Sequence, residues 1–516
     1  MRKRFGLIAV IAAIALLVGA PVVSTGGAST GDTKRYLVVF SGDYAVDSTY
    51  AVGGGYAVLC NYAVASGYAV GCNYAVASGY AVAHDYAVSL VTAAGGTVAN
   101  DMLSQIGVLA VDSSNAMFAQ LMRNYAVVQE VGQDLVWQGL PNQAPTAVPG
   151  GGPGTGEDPL ESQQWSMQMI RAPEAHAIQA GARAVDVGIL DSGIDGTHSD
   201  FRDGPAGTGP SNVDCDRGRN FVADGPGIGN PDPCVDNQVH GTHVAGIVAA
   251  QANGIGVVGV APNVTLVPVK VCDVPGYCYA SAVTAGITYA GDIQLDVINM
   301  SLFVDDDSLL MSTELKCMDD PQQRAFRRSV ERAIQYARNQ GVVPVAALGN
   351  SDLDLSDPPG GNQCEVVPAE SSGVIGTMAL GPDSGKASYS SYGNGATDVA
   401  APGGDAPVTG TTCHDQVLST IPGGHGCLQG TSMASPHTAG IAALIVSQFG
   451  KLGTDGDVKM SPTQVEAYLQ GSTVDIGLSG YDECFGHGRI DALRAVQKQT
   501  SRVYDSVAPD CPEYQE

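Results

Sequence analysis

Positive charge is what this sequence has least of. Lysine and arginine together number 25 against 52 aspartates and glutamates, leaving a formal net charge of -27. Nucleic acid and anionic membrane both demand a cationic surface, so composition argues against either as a partner. Long apolar runs are nearly missing too. The run from Gly6 to Ala20 follows the basic cluster Arg2, Lys3 and Arg4 and is too short to span a bilayer comfortably. Residues 1–30 are therefore expected to be a secretory signal, with no integral membrane segment beyond them. Metal-site spacings are missing as well. There is no CxxC and no HExxH, because His240 and His243 stand three apart without the glutamate.

Cysteine, by contrast, is present in a number that suits an exported chain: 12 in 516 residues. That usage points to disulfides rather than metal clusters. Sequence-local pairing beyond residue 200 would join Cys215 with Cys234, Cys272 with Cys278, Cys317 with Cys364, Cys413 with Cys427 and Cys484 with Cys511. Spacing alone leaves other connectivities open. Cys60 and Cys72 are candidates to pair with each other.

The N-terminal part reads as a small α+β unit ending near Trp137. RYLVVF from Arg35 alternates like a strand, the pattern resumes at Val88 with SLVTAAGGTVAND and QIGVLAVDS, and NAMFAQLMRN is helix-like. Between them Tyr-Ala-Val recurs every six residues from Tyr44 to Tyr86. The repeat would suit a β-solenoid or a tyrosine ladder. A tandem duplication tolerated in a surface loop is the favoured reading, because its variable positions are mostly Gly, Ser, Asn and Asp.

PNQAPTAVPGGGPGTGED, residues 141–158, is a Pro/Gly-rich linker and the main domain boundary. Beyond it strand-like and helix-like runs alternate: AVDVGILD, a helix from about His240, VTLVPVKV, SAVTAGITYA, DVINMSL, RAFRRSVERAIQYARN, VVPVAALGN, GVIGTMAL and a helix after Ser432. In RAFRRSVERAIQYARN, Phe326, Val330, Ala333, Ile334 and Ala337 fall at helical spacing. Continuous apolar strands alternating with helices imply a parallel sheet covered on both faces, whose site lies beyond the strands' carboxyl ends.

Three stretches carry candidate chemistry. Asp191 ends an apolar strand and opens SGID, His240 opens HGTHVAGIVAA, and Ser432 lies in GTSMASPHTAG among small residues at a helix start. Singly, the aspartate reads as a turn residue and the histidine as a cap or a packed side chain. Together, the order Asp, His, Ser along an α/β chain is one known arrangement that activates a serine.

DSGID, HGTHVAGIVAA and GTSMASPHTAG resemble the three active-site motifs of the subtilisin-like serine proteases. VINMSL, VVGVAPNVTLVPVKV and GHGRIDALRAV extend the resemblance over about residues 160–497. It implies a three-layer α/β/α fold with a mostly parallel sheet, preceded by a small α+β propeptide. It also implies that Ser432 attacks the scissile carbonyl, His240 shuttles the proton, Asp191 orients the imidazole, and Asn350 donates to the oxyanion. No cofactor is implied for catalysis. His437 is expected to be a packed histidine.

Two substrate-flanking strands follow from the resemblance, Gly276, Tyr277 and Cys278 on one side and Ser301, Leu302 and Phe303 on the other, with Ala347, Leu348 and Gly349 at the pocket. Phe303 stands where the family generally has glycine and Leu348 where it has a small residue, so both are expected to reshape the pocket. Asp305, Asp306 and Asp307 would favour basic substrate residues, although a solvated acidic loop is the preferred reading. The resemblance also implies a structural calcium ion as a candidate, at the positions that match a calcium site of the family, Asp200, Gln251, Asn253, Ile255 and Val257, with Glu161 as a contributor.

The expected division is a signal at 1–30, a propeptide at 31–140 carrying the hexad insertion at 44–88, the linker at 141–158, a catalytic domain at 159–497 and a tail at 498–516. RYLVVF and VVQEVGQDLVWQ would be the propeptide's outer strands, its tail lying in the active site as inhibitor and the whole unit aiding folding. Autoprocessing is expected between about 138 and 160. The resulting protein would be an extracellular monomer acting on protein or peptide substrates. A surface adhesion protein built around the tyrosine repeat is the rival, and an intact triad with Asn350 counts against it.

Overall fold

The computed structural model describes residues 33–41, 84–140, 144–148, 158–222, 231–303, 317–358, 364–406, 413–453, 456–505 and 511. The signal-like segment, the repeat copies from Tyr44 to Tyr80, Cys60, Cys72 and Asp305 to Asp307 lie outside the described residues.

A seven-stranded sheet forms the centre. In chain order its strands are β7 (Asp186–Asp191), β8 (Arg219–Asn220), β9 (Thr265–Lys270), β11 (Val297–Met300), β12 (Val343–Ala347), β13 (Ile375–Leu380) and β14 (Val399–Pro402), arranged β14-β13-β12-β11-β7-β9-β8. Every pairing between them is parallel. All residues of β7, β11, β12, β13 and β14 are buried, as continuous apolar runs require when both faces are covered. One core cluster gathers Val283, Ile287, Phe326, Val330 and Ile334, from the helices Ala280–Asp292 and Pro321–Asn339. The other gathers Val244, Ile247, Met433, Ile441 and Leu444, from His240–Ala249 and Thr431–Phe449. The result is the expected three-layer α/β/α architecture.

The N-terminal unit is a four-stranded antiparallel sheet of β1 (Lys34–Phe40), β2 (Gly96–Met102), β3 (Val108–Ser113) and β4 (Val128–Gln133), ordered β2-β3-β1-β4. Two expectations change. RYLVVF is an inner strand, since Leu37 to Phe40 are buried in an unbroken run. Residues from His84 to Ala93, which take in the last Tyr-Ala-Val copy, form a helix, with Ala87, Leu90 and Val91 buried at helical spacing.

VVQEVGQDLVWQ splits in two. β4 stays in the propeptide-like sheet, whereas β5 (Val136–Trp137) leaves it and pairs antiparallel with β10 (Cys278–Tyr279). The linker is also more ordered than its composition implies. β6 (Thr146–Val148) pairs with β16 (Gly424–Leu428), which pairs in turn with β15 (Val417–Ile421). No Pro or Gly falls within Thr146, Ala147 and Val148, so nothing local opposes a strand. All five sequence-local disulfides are formed. Among the described residues no helix is long and apolar enough to cross a membrane.

Candidate active site

Asp191 is the last residue of β7, fully buried at the sheet's carboxyl edge. His240 is the first residue of its helix and 2% exposed. Its Nδ1 lies 2.9 Å and 3.0 Å from the two carboxylate oxygens of Asp191. The Ser192 N–H donates to the same carboxylate at 2.8 Å. Gly241 is required here, because a Cβ would run into the carbonyl oxygen of Gly193 in the SGID turn.

Sequence inspection missed Asp236, which assembles this corner. Its Oδ1 accepts from Ser192 Oγ at 3.0 Å, Gln238 N at 3.0 Å and Val239 N at 2.9 Å. Its Oδ2 accepts from Thr242 N at 2.9 Å and Thr242 Oγ1 at 2.7 Å. One buried carboxylate thus caps the His240 helix and ties it to the turn after Asp191. It also holds Val239 at a φ of 98°, a conformation that a β-branched residue adopts only under constraint. The only local signal was an acid four residues before His240.

Ser432 sits in the first turn of Thr431–Phe449 and is 2% exposed. Its hydroxyl donates to the Ser301 carbonyl at 3.3 Å, while His240 Nε2 is buried with no hydrogen-bond partner among the described residues. The helix start is moored to the end of β11: Ser301 Oγ donates to the Ser432 carbonyl at 2.8 Å, Asn299 Nδ2 to Ser301 Oγ at 2.9 Å, and Ser435 Oγ to Asn299 Oδ1 at 2.7 Å. Asn350 follows β12, and its Oδ1 accepts from Thr431 N at 2.9 Å and Thr431 Oγ1 at 3.0 Å. Those two bonds fix which end of the amide is the acceptor and leave Nδ2 as the free donor. His437 is wholly buried on Met433 O at 2.7 Å, and burial pushes it down to about 4.

The two expected substrate strands flank a segment of the chain itself. Leu140 N donates to Gly276 O at 3.1 Å, and Ala280 N donates to Leu135 O at 2.9 Å. Gly276 has a φ of 91°, in the left-handed region. Phe303 is half-buried beside this segment. Leu348 is fully buried, packed towards Gly376 of β13, so it fills core rather than lining the cleft as its position suggested. Burial of an apolar side chain beside a glycine gap is the physical reason.

Asp134, just before β5, is buried against the helix Ala280–Asp292. It accepts from Ser281 N at 2.8 Å and Ser281 Oγ at 2.6 Å. Burial pushes its carboxyl up to about 6, against the lowering effect of the Ser281 bonds and of Arg35.

The candidate calcium residues do converge, but on a different donor set. The N–H groups of Asn253, Gly254 and Ile255 all point at Asp158 Oδ1, at 3.1, 2.9 and 3.2 Å. Asn253 Oδ1 accepts from Ile255 N at 3.1 Å, and Gln251 spans Pro262 O and Arg183. Asp200 Oδ2 accepts from Val257 N at 3.0 Å and has His425 Nε2 at 2.7 Å. Asp200 Oδ1 is buried and finds no hydrogen-bond partner among the described residues. As arranged, with an imidazole nitrogen against Asp200 and backbone donors turned to Asp158, these residues do not fit a calcium ion.

A parallel sheet with a buried Asp–His pair at its carboxyl edge and a serine at a facing helix start defines a serine hydrolase of the α/β/α class. The comparisons make this specific. The model of the Subtilase family matches residues 182–488, and the chain belongs to that family. It is 35% identical to subtilisin DY of Bacillus licheniformis over 335 residues, 64% of this chain and 98% of that protein. It is 33% identical to thermitase of Thermoactinomyces vulgaris over 346 residues, 66% of this chain and 99% of that one. The crystal structure of the epidermin leader peptide processing serine protease from Staphylococcus aureus shares the fold with a TM-score of 0.64 at 20% identity, covering 90% of this chain and 98% of its own. The protein is thus a serine endopeptidase, a hydrolase of peptide bonds.

Proposed function

We propose that the protein is a secreted, autoprocessed zymogen in which Ser432, His240, Asp191 and Asn350 carry the chemistry. The observation that carries this reading is the segment Val136 to Leu140 laid along Cys278–Tyr279 and Gly276 by strand addition, in a chain whose Asp191–His240 pair is intact. Residues 31–140 act as the inhibitory and folding-assisting propeptide, with the segment after β4 as the plug. Export agrees with the signal-like residues 1–30 and with the disulfides.

Asp191 holds the Nδ1 proton of His240, which leaves the Nε2 lone pair as the base. Rotation about the Ser432 Cα–Cβ bond turns the hydroxyl from Ser301 O to Nε2, which has no competing partner among the described residues. Ser432 Oγ attacks the scissile carbonyl, Nε2 takes its proton, and the amine leaves with that proton. Water then cleaves the acyl-enzyme by the same route in reverse. Asn350 Nδ2 and the Ser432 N–H, at a helix start, stabilise the oxyanion.

Expression of Ser432→Ala beside wild type tests the reading. Wild type should be secreted at a mass short of residues 1 to about 140 and should react with a serine-directed inhibitor. The variant should keep its propeptide and stay unlabelled. Two forms of equal mass, neither labelled, would overturn the proposal.

A further inference from the structure

The segment in the cleft also says what the cleft admits. Gly139 is held between the two substrate-flanking strands, and a Cβ built on it would stand 2.5 Å from the backbone oxygen of Phe303, 2.7 Å from Cys278 Sγ and 3.2 Å from Cys278 Cβ. Carbon atoms in good contact sit at about 3.5–4.0 Å. Neither wall is a movable side-chain tip. One is main chain, and the other is a sulfur locked in the Cys272–Cys278 disulfide, both of whose residues are fully buried. The next position is the opposite case. Leu140 is fully buried within the cluster that holds Cys272, Cys278 and Leu302. Two residues before the glycine, the Trp137 ring lies 5.7 Å from that of Phe326, on the helix Pro321–Asn339. Gln138, between them, contributes through Nε2, which donates to Pro275 O at 2.7 Å.

From this alternation we infer that the enzyme selects peptides of the pattern aromatic–x–glycine–apolar, the glycine lying between Cys278 and Phe303 and the apolar residue taking the place of Leu140. The inference rests on the reading that Val136 to Leu140 occupies the substrate cleft, and it adds a steric filter. Cys278 and Phe303 are its specificity-determining residues. Phe303 acts through its carbonyl, so side-chain replacement there leaves the filter in place. Loss of the Cys278 sulfur removes one wall and leaves the carbonyl, so it relaxes the filter in part.

Quenched fluorescent peptides copying residues 133–145, cut by the enzyme purified after processing of its full chain, provide the test. Replacing the glycine of Gly139 by alanine should lower kcat/KM about 10- to 100-fold, the scale of an overpacked methyl group, and replacing the leucine of Leu140 by aspartate should cost at least as much. In the Cys272→Ala/Cys278→Ala enzyme the glycine-to-alanine penalty should shrink but persist, because the Phe303 oxygen still stands against a Cβ at that position. Equal cleavage of the glycine and alanine peptides by wild type would overturn the filter and leave the protease standing. Failure to cut the parent peptide while casein is digested would overturn it too. Inactivity on every substrate, with no inhibitor labelling, would instead strike down the protease reading beneath it. The peptide series on wild type decides the matter even if the double variant fails to fold.

Discussion

Raising the pH should loosen the docking of the segment around β5 on the helix Ala280–Asp292, and Asp134 sets by how much. Docked, its carboxyl is buried on Ser281 and pushed from an ordinary 3.8 up to about 6 by desolvation. Undocked, it faces water and returns to 3.8. The docked state therefore holds a proton that the undocked state releases between those values. Docking is strongest below pH 3.8, weakens as pH rises through about 6, and is weakest above it. The gap corresponds to about 3 kcal/mol in all, and to a docking constant about tenfold lower at pH 7 than at pH 5. The full-length Ser432→Ala chain, which should not cut itself, is the material. Hydrogen exchange at the Ala280 and Ser281 amides, bonded to Leu135 O and Asp134, reports undocking once intrinsic rates are corrected for pH. Protection should fall about tenfold from pH 5 to pH 7, and Asp134→Asn should flatten the slope. Equal protection at the two pH values, or protection that rises with pH, would refute the reasoning.

Further outcomes follow from other parts of the molecule. Asn350→Ala should lower kcat with little change in KM. About 100- to 1,000-fold is the cost of losing the corresponding donor in subtilisin. The Cys317–Cys364 disulfide spans 47 residues and the Cys272–Cys278 one spans 6, so chain entropy gives about 4 against about 2.2 kcal/mol. Urea unfolding of the two double-serine variants should rank them in that order. Chelation should leave Tm unchanged, because Asp200 Oδ2 is already taken up by His425 Nε2 and the Val257 N–H, whereas His425→Ala should cost about 1–3 kcal/mol by leaving Asp200 Oδ2 short of a partner. A Tm that falls on adding EDTA would contradict this.

The sequence alone determined the architecture and the chemical class. Strands such as Asp186–Asp191 are read from unbroken apolar runs, the helix Pro321–Asn339 from its periodicity, and Asp191, His240, Asn350 and Ser432 from motifs confined to a few neighbouring residues. Such signals are local and survive without knowledge of the fold. What only the tertiary structure decided depends on residues distant in the chain. Asp236 caps a helix whose histidine belongs to another motif. RYLVVF is an inner strand because β3 and β4 both choose it. Leu348 turns into the core because Gly376 leaves room. His425 reaches Asp200 across 225 positions and occupies a carboxylate that the family resemblance had offered to calcium. The strictness of the cleft is likewise invisible in sequence, because the space left for Gly139 is set by a carbonyl and a disulfide that share only three dimensions with it.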